Sequence, residues 1–423
     1  MNNLQPAVVN KKAIATEDWA VVLLGFMLIA LALSGLVFPT PSFSWKDNSE
    51  LFSKVVSQDN LLKIGLQFFI VMLTAILGGW LTGKQVKKIA IVFPVIYLLT
   101  VVALIIAGSS VMKSLNLEAV IFSLGIGLLI SNTMKLPGWF SKALTSEMFV
   151  KIGLVLLGTT IIFSDILKDG GLGLLQSLIV VLCVWYFAFY ACKFLKIDKE
   201  MGLMISSAVS ICGVSAAIAT SGAIKGDNKK LSYVISLVLI VAVPMMIFMP
   251  YLAEWMGLSQ KVTGAWLGGS IDTTGAVVAS GSLVGDEALK TSTIVKFSQN
   301  VLLGIAAFAI SIYWTYINTQ KGEKQEKPTF KIIWQRFPKF ILGFVAASLL
   351  FSFALSGEQV ALVKEGLKNL QGLWFALAFT SIGLETKFSE LFRQDNKKPL
   401  YAFIIAQLFN VVLTLLIAWL LFS

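Results

Sequence analysis

Thirteen predominantly apolar stretches follow one another along this chain, most of them near the roughly 20 residues that cross a hydrocarbon core of about 30 Å. They are Trp19 to Phe38, Leu61 to Thr82, Ile89 to Ala107, Leu117 to Met134, Met148 to Phe163, Leu172 to Cys192, Met201 to Gly222, Leu231 to Pro250, Val262 to Gly281, Thr291 to Tyr316, Phe337 to Leu355, Leu370 to Thr386 and Leu400 to Phe422. In lipid, every backbone polar group must be satisfied by protein, so a spanning chain forms helices or a closed barrel. Runs of this length select helices. The expected fold is an all-α polytopic membrane protein with about 11 to 13 transmembrane segments.

Only 13% of the residues are charged, against about 25% in soluble domains, and the net charge of +11 sits mainly in the short links. That places the basic residues against anionic lipid and removes any need for nucleic acid as a partner. Lys11 and Lys12 precede the first stretch and Ala32-Leu33-Ser34 offers small residues, but the stretch's length and its Glu17-Asp18 flank predict a retained span, not a cleaved signal. The chain divides into a cytoplasmic tail (1–18), a membrane bundle (19–316), a polar cytoplasmic linker (317–336) and C-terminal membrane helices (337–423).

With the N-terminus inside, Lys84 to Lys88, Lys135 to Lys142, Lys193 to Lys199, Lys321 to Arg336 and Arg393 to Lys398 all fall in the cytoplasm. Lys225, Lys229 and Lys230 do not if all thirteen stretches span. The violation disappears if 201–222 and 262–281 are broken and re-enter from opposite faces. Thirteen spans and eleven spans plus two hairpins both remain open at this point. The two stretches also resemble each other: Ala217 to Asp227 aligns with Ala276 to Asp286 at a constant offset, and Gly158 to Ile166 similarly echoes Gly383 to Leu391. Inverted repeats with broken helices characterise secondary transporters, whose site lies near the midplane.

Four polar clusters fall at membrane depth. The first is Asp272 with Gly268, Gly269, Ser270, Thr273 and Thr274; a charge there costs roughly 2.5 to 3.5 kcal/mol and is a functional candidate. Asp272 could instead cap a half-helix beginning at Thr273. The second comprises Ser206, Ser207, Ser210, Cys212, Gly213 and Ser215, where a break would expose helix N–H groups to an anion, or where small residues simply pack closely. The third is Lys296, Gln299 and Asn300, sharing one helix face; Lys296 could neutralise Asp272, bind an anion or snorkel to the headgroups. Glu385, with Asn132, makes the fourth; a solvated helix end is the plainer reading of both.

Leu124-Gly125-Ile126-Gly127 with Asn132, Gly153 to Gly158, Cys212-Gly213-Val214-Ser215-Ala216, Gly268-Gly269-Ser270-Ile271, Val277 to Gly281 and Ile294-Val295-Lys296 together resemble the YeiH-type family of bacterial inner-membrane proteins described as sulfate exporters. The resemblance covers most of the chain from about Trp19. It implies a secondary transporter related to the cation/proton antiporter and bile-acid symporter superfamily. The chain departs from the family where a His, an acidic residue and a Gln are expected: Asp272, Thr273 and Ala276 stand there. Architecture therefore carries over further than substrate.

These features predict a bacterial inner-membrane carrier for a small anion, a sulfate-like oxyanion or organic acid. No cofactor is expected beyond a proton or sodium ion, carried by Asp272 with Glu385, and the half-helix N-termini near Gly213 and Gly269 would hold the solute with Lys296. A cation/proton antiporter using Asp272 is the alternative, and a homodimer is an admissible assembly. An enzyme is not expected: the chain has no His, no close pair of Asp residues in adjacent spans and no nucleotide loop, and Cys183, Cys192 and Cys212 show no metal or disulfide spacing.

Overall fold

The computed structural model describes residues 13–114, 119–141, 143–161, 163–224, 226–320, 334, 337–386 and 397–423. In chain order its principal helices are α1 (Glu17–Leu33), α2 (Gln58–Leu81), α3 (Val86–Ala107), α4 (Ala119–Thr133), α5 (Ser146–Leu157), α6 (Phe163–Phe194), α7 (Lys199–Ser207, continued by a wide π turn, Ala208–Cys212), α8 (Val214–Ile224), α9 (Asn228–Trp255), α10 (Gln260–Ser270), α11 (Thr274–Val284), α12 (Asp286–Gln320), α13 (Phe340–Leu349), α14 (Gly357–Glu385) and α15 (Lys398–Phe422). Among the described residues no strand forms, and seven helices are long and apolar enough to cross a membrane. The all-α polytopic expectation holds. Most of the 317–336 link, and Lys387 to Leu391 of the second echo, lie outside the described residues.

The chain forms two compact units. One comprises 1–160 and 339–385. Its backbones approach closely where side chains are smallest: a Cβ on Gly127 of α4 would lie 2.5 Å from the Thr380 carbonyl oxygen of α14, and one on Gly383 would lie 2.4 Å from that of Leu124. Ser131 Oγ donates to Gly383 O at 2.9 Å across the same contact. At one end Lys151 meets Glu17, Asp18 and Glu147 at 3.1, 3.0 and 3.5 Å.

The second unit comprises 161–338 and 386–423 and is built around two helical hairpins. Lys230, just after the first hairpin, reaches Asp198 at 2.7 Å and Glu200 at 3.1 Å, just before it. Its two arms, α7 with its π turn and α8, therefore begin and end together. That puts Lys230 at the same end as Lys193 to Lys199, where the charge pattern expects it, while Lys225 lies outside the described residues. The second hairpin closes likewise: a Cβ on Gly285 would lie within 2.7 Å of the Gln260 side chain. Lys261, at its base, pairs at 2.9 Å with Asp169 near the start of α6, whereas the first hairpin follows the end of α6. The two hairpins thus arise from opposite ends of α6. Ala217 to Asp227 and Ala276 to Asp286, the stretches that echo each other, contain most of the returning arm of each.

α12 acts as a ruler. Ala288 and Leu289 pack on the second hairpin's base and Tyr313 lies 5.0 Å from Lys199 at the first's. Lys296 sits between, ten residues past Asp286, or about 15 Å along the axis, half the thickness of a hydrocarbon core. α15 is inside-out by the standard of a soluble helix: Gln407, Asn410 and Thr414 are buried, while Ile404, Leu408, Val412, Leu416 and Leu420 are exposed on the outer face.

Candidate functional site

The two hairpin tips meet. Gly213 adopts φ +59°, and a Cβ there would lie 3.1 Å from Cβ of Asp272. Each tip joins the C-terminal end of one short helix to the N-terminal end of the next. Each end of a broken helix leaves backbone groups without intrahelical partners.

The carbonyl ends are satisfied by side chains. Lys296 Nζ donates to Ile211 O at 2.8 Å, to Ile271 O at 2.8 Å and to Gln299 Oε1 at 2.7 Å. Gln299 Nε2 donates to Ser210 O and Gly269 O at 3.0 and 3.3 Å. Asn410 Nδ2 reaches Val209 O and Ser270 O at 3.1 and 3.2 Å, and Gln407 Nε2 reaches Ser270 O at 2.7 Å. Three side chains therefore each bridge one carbonyl of the first hairpin to one of the second. A positive charge near two helix C-termini is also favoured by their dipoles.

Lys296 is wholly buried, so it does not snorkel. An ammonium has three donors and all three are engaged, so Lys296 can attract a solute by charge but has no N–H left to offer it. It makes no ion pair with Asp272 within 4.0 Å among the described residues. Asp272 is 1% exposed, and among the described residues neither of its carboxylate oxygens has a hydrogen-bond partner. Burying an unpaired carboxylate costs several kcal/mol, which favours a neutral, protonated group or a compensating charge there.

The amino ends differ. Thr273, not Asp272, caps α11: its hydroxyl accepts from Ala276 N at 3.3 Å, and the helix begins at Thr274. Gly268 and Gly269 lie in the last turn of α10, a carbonyl end, so the half-helix N-terminus expected near Gly269 stands instead at Thr274. Ser215 is exposed, and Val214, Thr273, Thr274 and Gly275 are partly so. The N-termini of α8 and α11 are thus reachable, whereas the C-termini that precede them are packed away. Asn300 Nδ2 donates to Thr274 Oγ1 at 3.3 Å, leaving Asn300 Oδ1 buried and unpartnered.

The hydroxyls of Ser206, Ser210 and Ser270 turn back on their own helices, donating to Gly202 O, Ser206 O and Trp266 O at 2.7, 2.7 and 2.6 Å. Ser207 accepts from Trp185 Nε1, and Cys212 is buried at the tip. Glu385 belongs to the other unit, where Ser146 Oγ donates to it at 2.6 Å, and Asn132 Nδ2 there donates to Leu128 O at 2.9 Å. Gln407 and Asn410 were not singled out in the sequence, although with Thr414 they form a polar face at the same three- and four-residue spacing that marks Lys296, Gln299 and Asn300. Gln176, whose Nε2 donates to Ala265 O at 2.8 Å, was equally unmarked.

The family model described as Conserved hypothetical protein 698 matches residues 91–402. The UPF0324 membrane protein of Rhodopirellula baltica is 41% identical over 368 residues, which are 84% of this chain and 67% of that protein. Two UPF0324 membrane proteins of Nitratidesulfovibrio vulgaris are 39% and 37% identical over 80% and 82% of this chain, and 60% and 62% of their own length. The chain therefore spans only about two thirds of the length of these relatives. No solved structure matches it.

Proposed function

Because this chain belongs to the UPF0324 membrane-protein family, for which Conserved hypothetical protein 698 is the matching model, we propose that it is a secondary transporter of a small anion. One observation carries the reading: two reachable half-helix N-termini meet inside an apolar bundle, beside a buried carboxylate that accepts no hydrogen bond among the described residues. Helix N-termini bind anions through free N–H groups and the dipole. The negative Asp272 opposes such a solute until a coupling ion neutralises it, so solute and ion occupy the site together. Ser215, Thr273 and Thr274 border the solute; Lys296 supplies charge from behind the carbonyl ends. A sulfate-like oxyanion or organic acid fits this chemistry, and alternating access would expose the tips to each face in turn. The charge pattern supports a bacterial inner membrane with the N-terminus in the cytoplasm.

A cation/proton antiporter is a second reading, favoured by the buried acceptors without donors: both Asp272 oxygens and Asn300 Oδ1. Proteoliposomes loaded with labelled sulfate, phosphate or a dicarboxylate, under an imposed proton or sodium gradient, separate the two. The first reading expects gradient-driven anion flux that Asp272→Asn abolishes while the variant remains folded. Undiminished flux in that variant removes Asp272 from the mechanism, and sodium or proton exchange without anion flux favours the antiporter.

A further inference from the structure

In many helix breaks inside membranes, unwound carbonyls are met by a bound alkali ion. Here the equivalent carbonyls are already taken. Ile211 O closes the outgoing arm of the first hairpin, Ile271 O that of the second, and one ammonium lies 2.8 Å from each and 2.7 Å from Gln299 Oε1. Gln299, in turn, ties Ser210 O to Gly269 O. The Lys296 side chain is rooted in α12, which packs on both hairpins, and it is wholly buried. A charge held this way cannot leave with a solute. It joins the two tips on every pass, whatever the site carries.

We propose that the Lys296 ammonium is the protein's own resident cation at the hairpin tips, occupying with a side chain the place a sodium ion would take between the two carbonyl ends, so that the ion exchanged at Asp272 is a proton. The second half of the proposal rests on the carrier reading given above; the first half rests on geometry alone. The ionisable groups close enough to act on Asp272 or Lys296 are each other and Cys212, among the described residues. Apart from Lys296, Asp272 and the Cys212 thiol, the polar groups around the break, among the described residues, are uncharged amides, hydroxyls and backbone carbonyls. A sodium ion between the two carbonyl ends would have to displace Lys296 from three acceptors at once. A proton on Asp272 displaces nothing.

The test removes the side chain and returns the charge. Purified full-length protein in detergent is melted as wild type and as Lys296→Ala, in choline chloride and with sodium, methylammonium or tetramethylammonium added. The expected result is a wild-type melting temperature indifferent to replacing choline by sodium. In the variant the melting temperature falls, and methylammonium restores it in a saturable, dose-dependent manner. Tetramethylammonium, with no N–H and too large for the vacancy, restores nothing. Equal restoration by both ammonium ions, no restoration by methylammonium, or no loss in the variant overturns the resident-cation assignment.

Should Lys296→Ala not yield folded protein, equilibrium binding of labelled sodium to the wild type decides instead. Saturable binding, or stabilisation of the wild type by sodium, overturns the proposal, and its absence supports it. These readouts need no transport, so their failure is separable from failure of the carrier reading, which the anion flux assay tests. In proteoliposomes that show anion flux, the proposal further expects equal flux in sodium and in choline under the same proton gradient. A requirement for sodium overturns the proton assignment while leaving the carrier intact.

Discussion

The amides that join the hairpin tips differ in redundancy, and that difference sets a ranked prediction. Gln299→Leu strips partners from three groups at once: Ser210 O, Gly269 O and one N–H of Lys296. A buried polar group left unpaired costs about 1 to 3 kcal/mol, more beside a charge, and partial relaxation reduces the sum, so a loss of about 3 to 6 kcal/mol is expected. Asn410→Leu strips partners from Val209 O and from the buried Thr414 hydroxyl, which donates to Asn410 Oδ1 at 2.8 Å, while Ser270 O keeps its bond from Gln407; the expected loss is about 2 to 4 kcal/mol. Gln407→Met leaves Ser270 O with Asn410 and also deletes Gln407 Oε1, a buried acceptor that has no donor, so its effect stays within about 1 kcal/mol. Thermal unfolding of the three variants in one detergent, followed by tryptophan fluorescence, reads the order directly. If Gln407→Met is as damaging as Gln299→Leu, the bonds counted here are not what holds the tips.

Further outcomes follow from backbone and charge. Gly213→Ala forces a Cβ to within 2.6 Å of Val238 Cγ1 at φ +59°, a strain of about 1 to 3 kcal/mol before the clash, whereas Gly257→Ala, at φ +66°, meets nothing within 4 Å; the first should lower the melting temperature more than the second. In the other unit Gly127→Ala should destabilise through the Thr380 carbonyl, and Gly125→Ala, facing open space, should not; equal melting temperatures would refute the close helix contact. Burial alone would push Glu17 up, but Lys151 and Lys84 outweigh it and hold its carboxyl at about 2, below the ordinary 4.5. A carboxyl lowered in the fold stabilises fully above its unfolded value and loses that contribution as pH falls through its folded one. The stability advantage of wild type over Glu17→Gln should therefore be complete at neutral pH and shrink between about pH 4.5 and pH 2; an advantage constant with pH refutes the pairing.

Much of the site was legible because lipid makes polar residues conspicuous. Asp272, Lys296, Gln299 and Asn300 stood out as charges and amides among apolar neighbours, and the structure brings Lys296, Gln299 and the Asp272 tip together. Gln407 and Asn410 carry the same signature but sit in a helix that reads as an unremarkable apolar span. Hydroxyls were harder: Ser206, Ser210 and Ser270 satisfy themselves on their own helices, a local choice that sequence does not distinguish from facing a cleft. The half-helix N-terminus expected near Gly269 stands at Thr274 for a related reason. Glycines at 268 and 269 signal close approach, and here they pack against Ser292 and Gln176 instead of opening the helix. Charge counting raised the hairpin reading and the echo between the two stretches supported it, and two ion pairs from Lys230, to Asp198 and to Glu200, hold the two ends of the first segment together.

The tips touch without any continuous backbone between them. What fastens one to the other is a short row of side-chain stitches, each a bond from α12 or α15 to one loop end of either hairpin. Such a seam parts stitch by stitch, at the cost of single hydrogen bonds, while every helix on both sides stays wound.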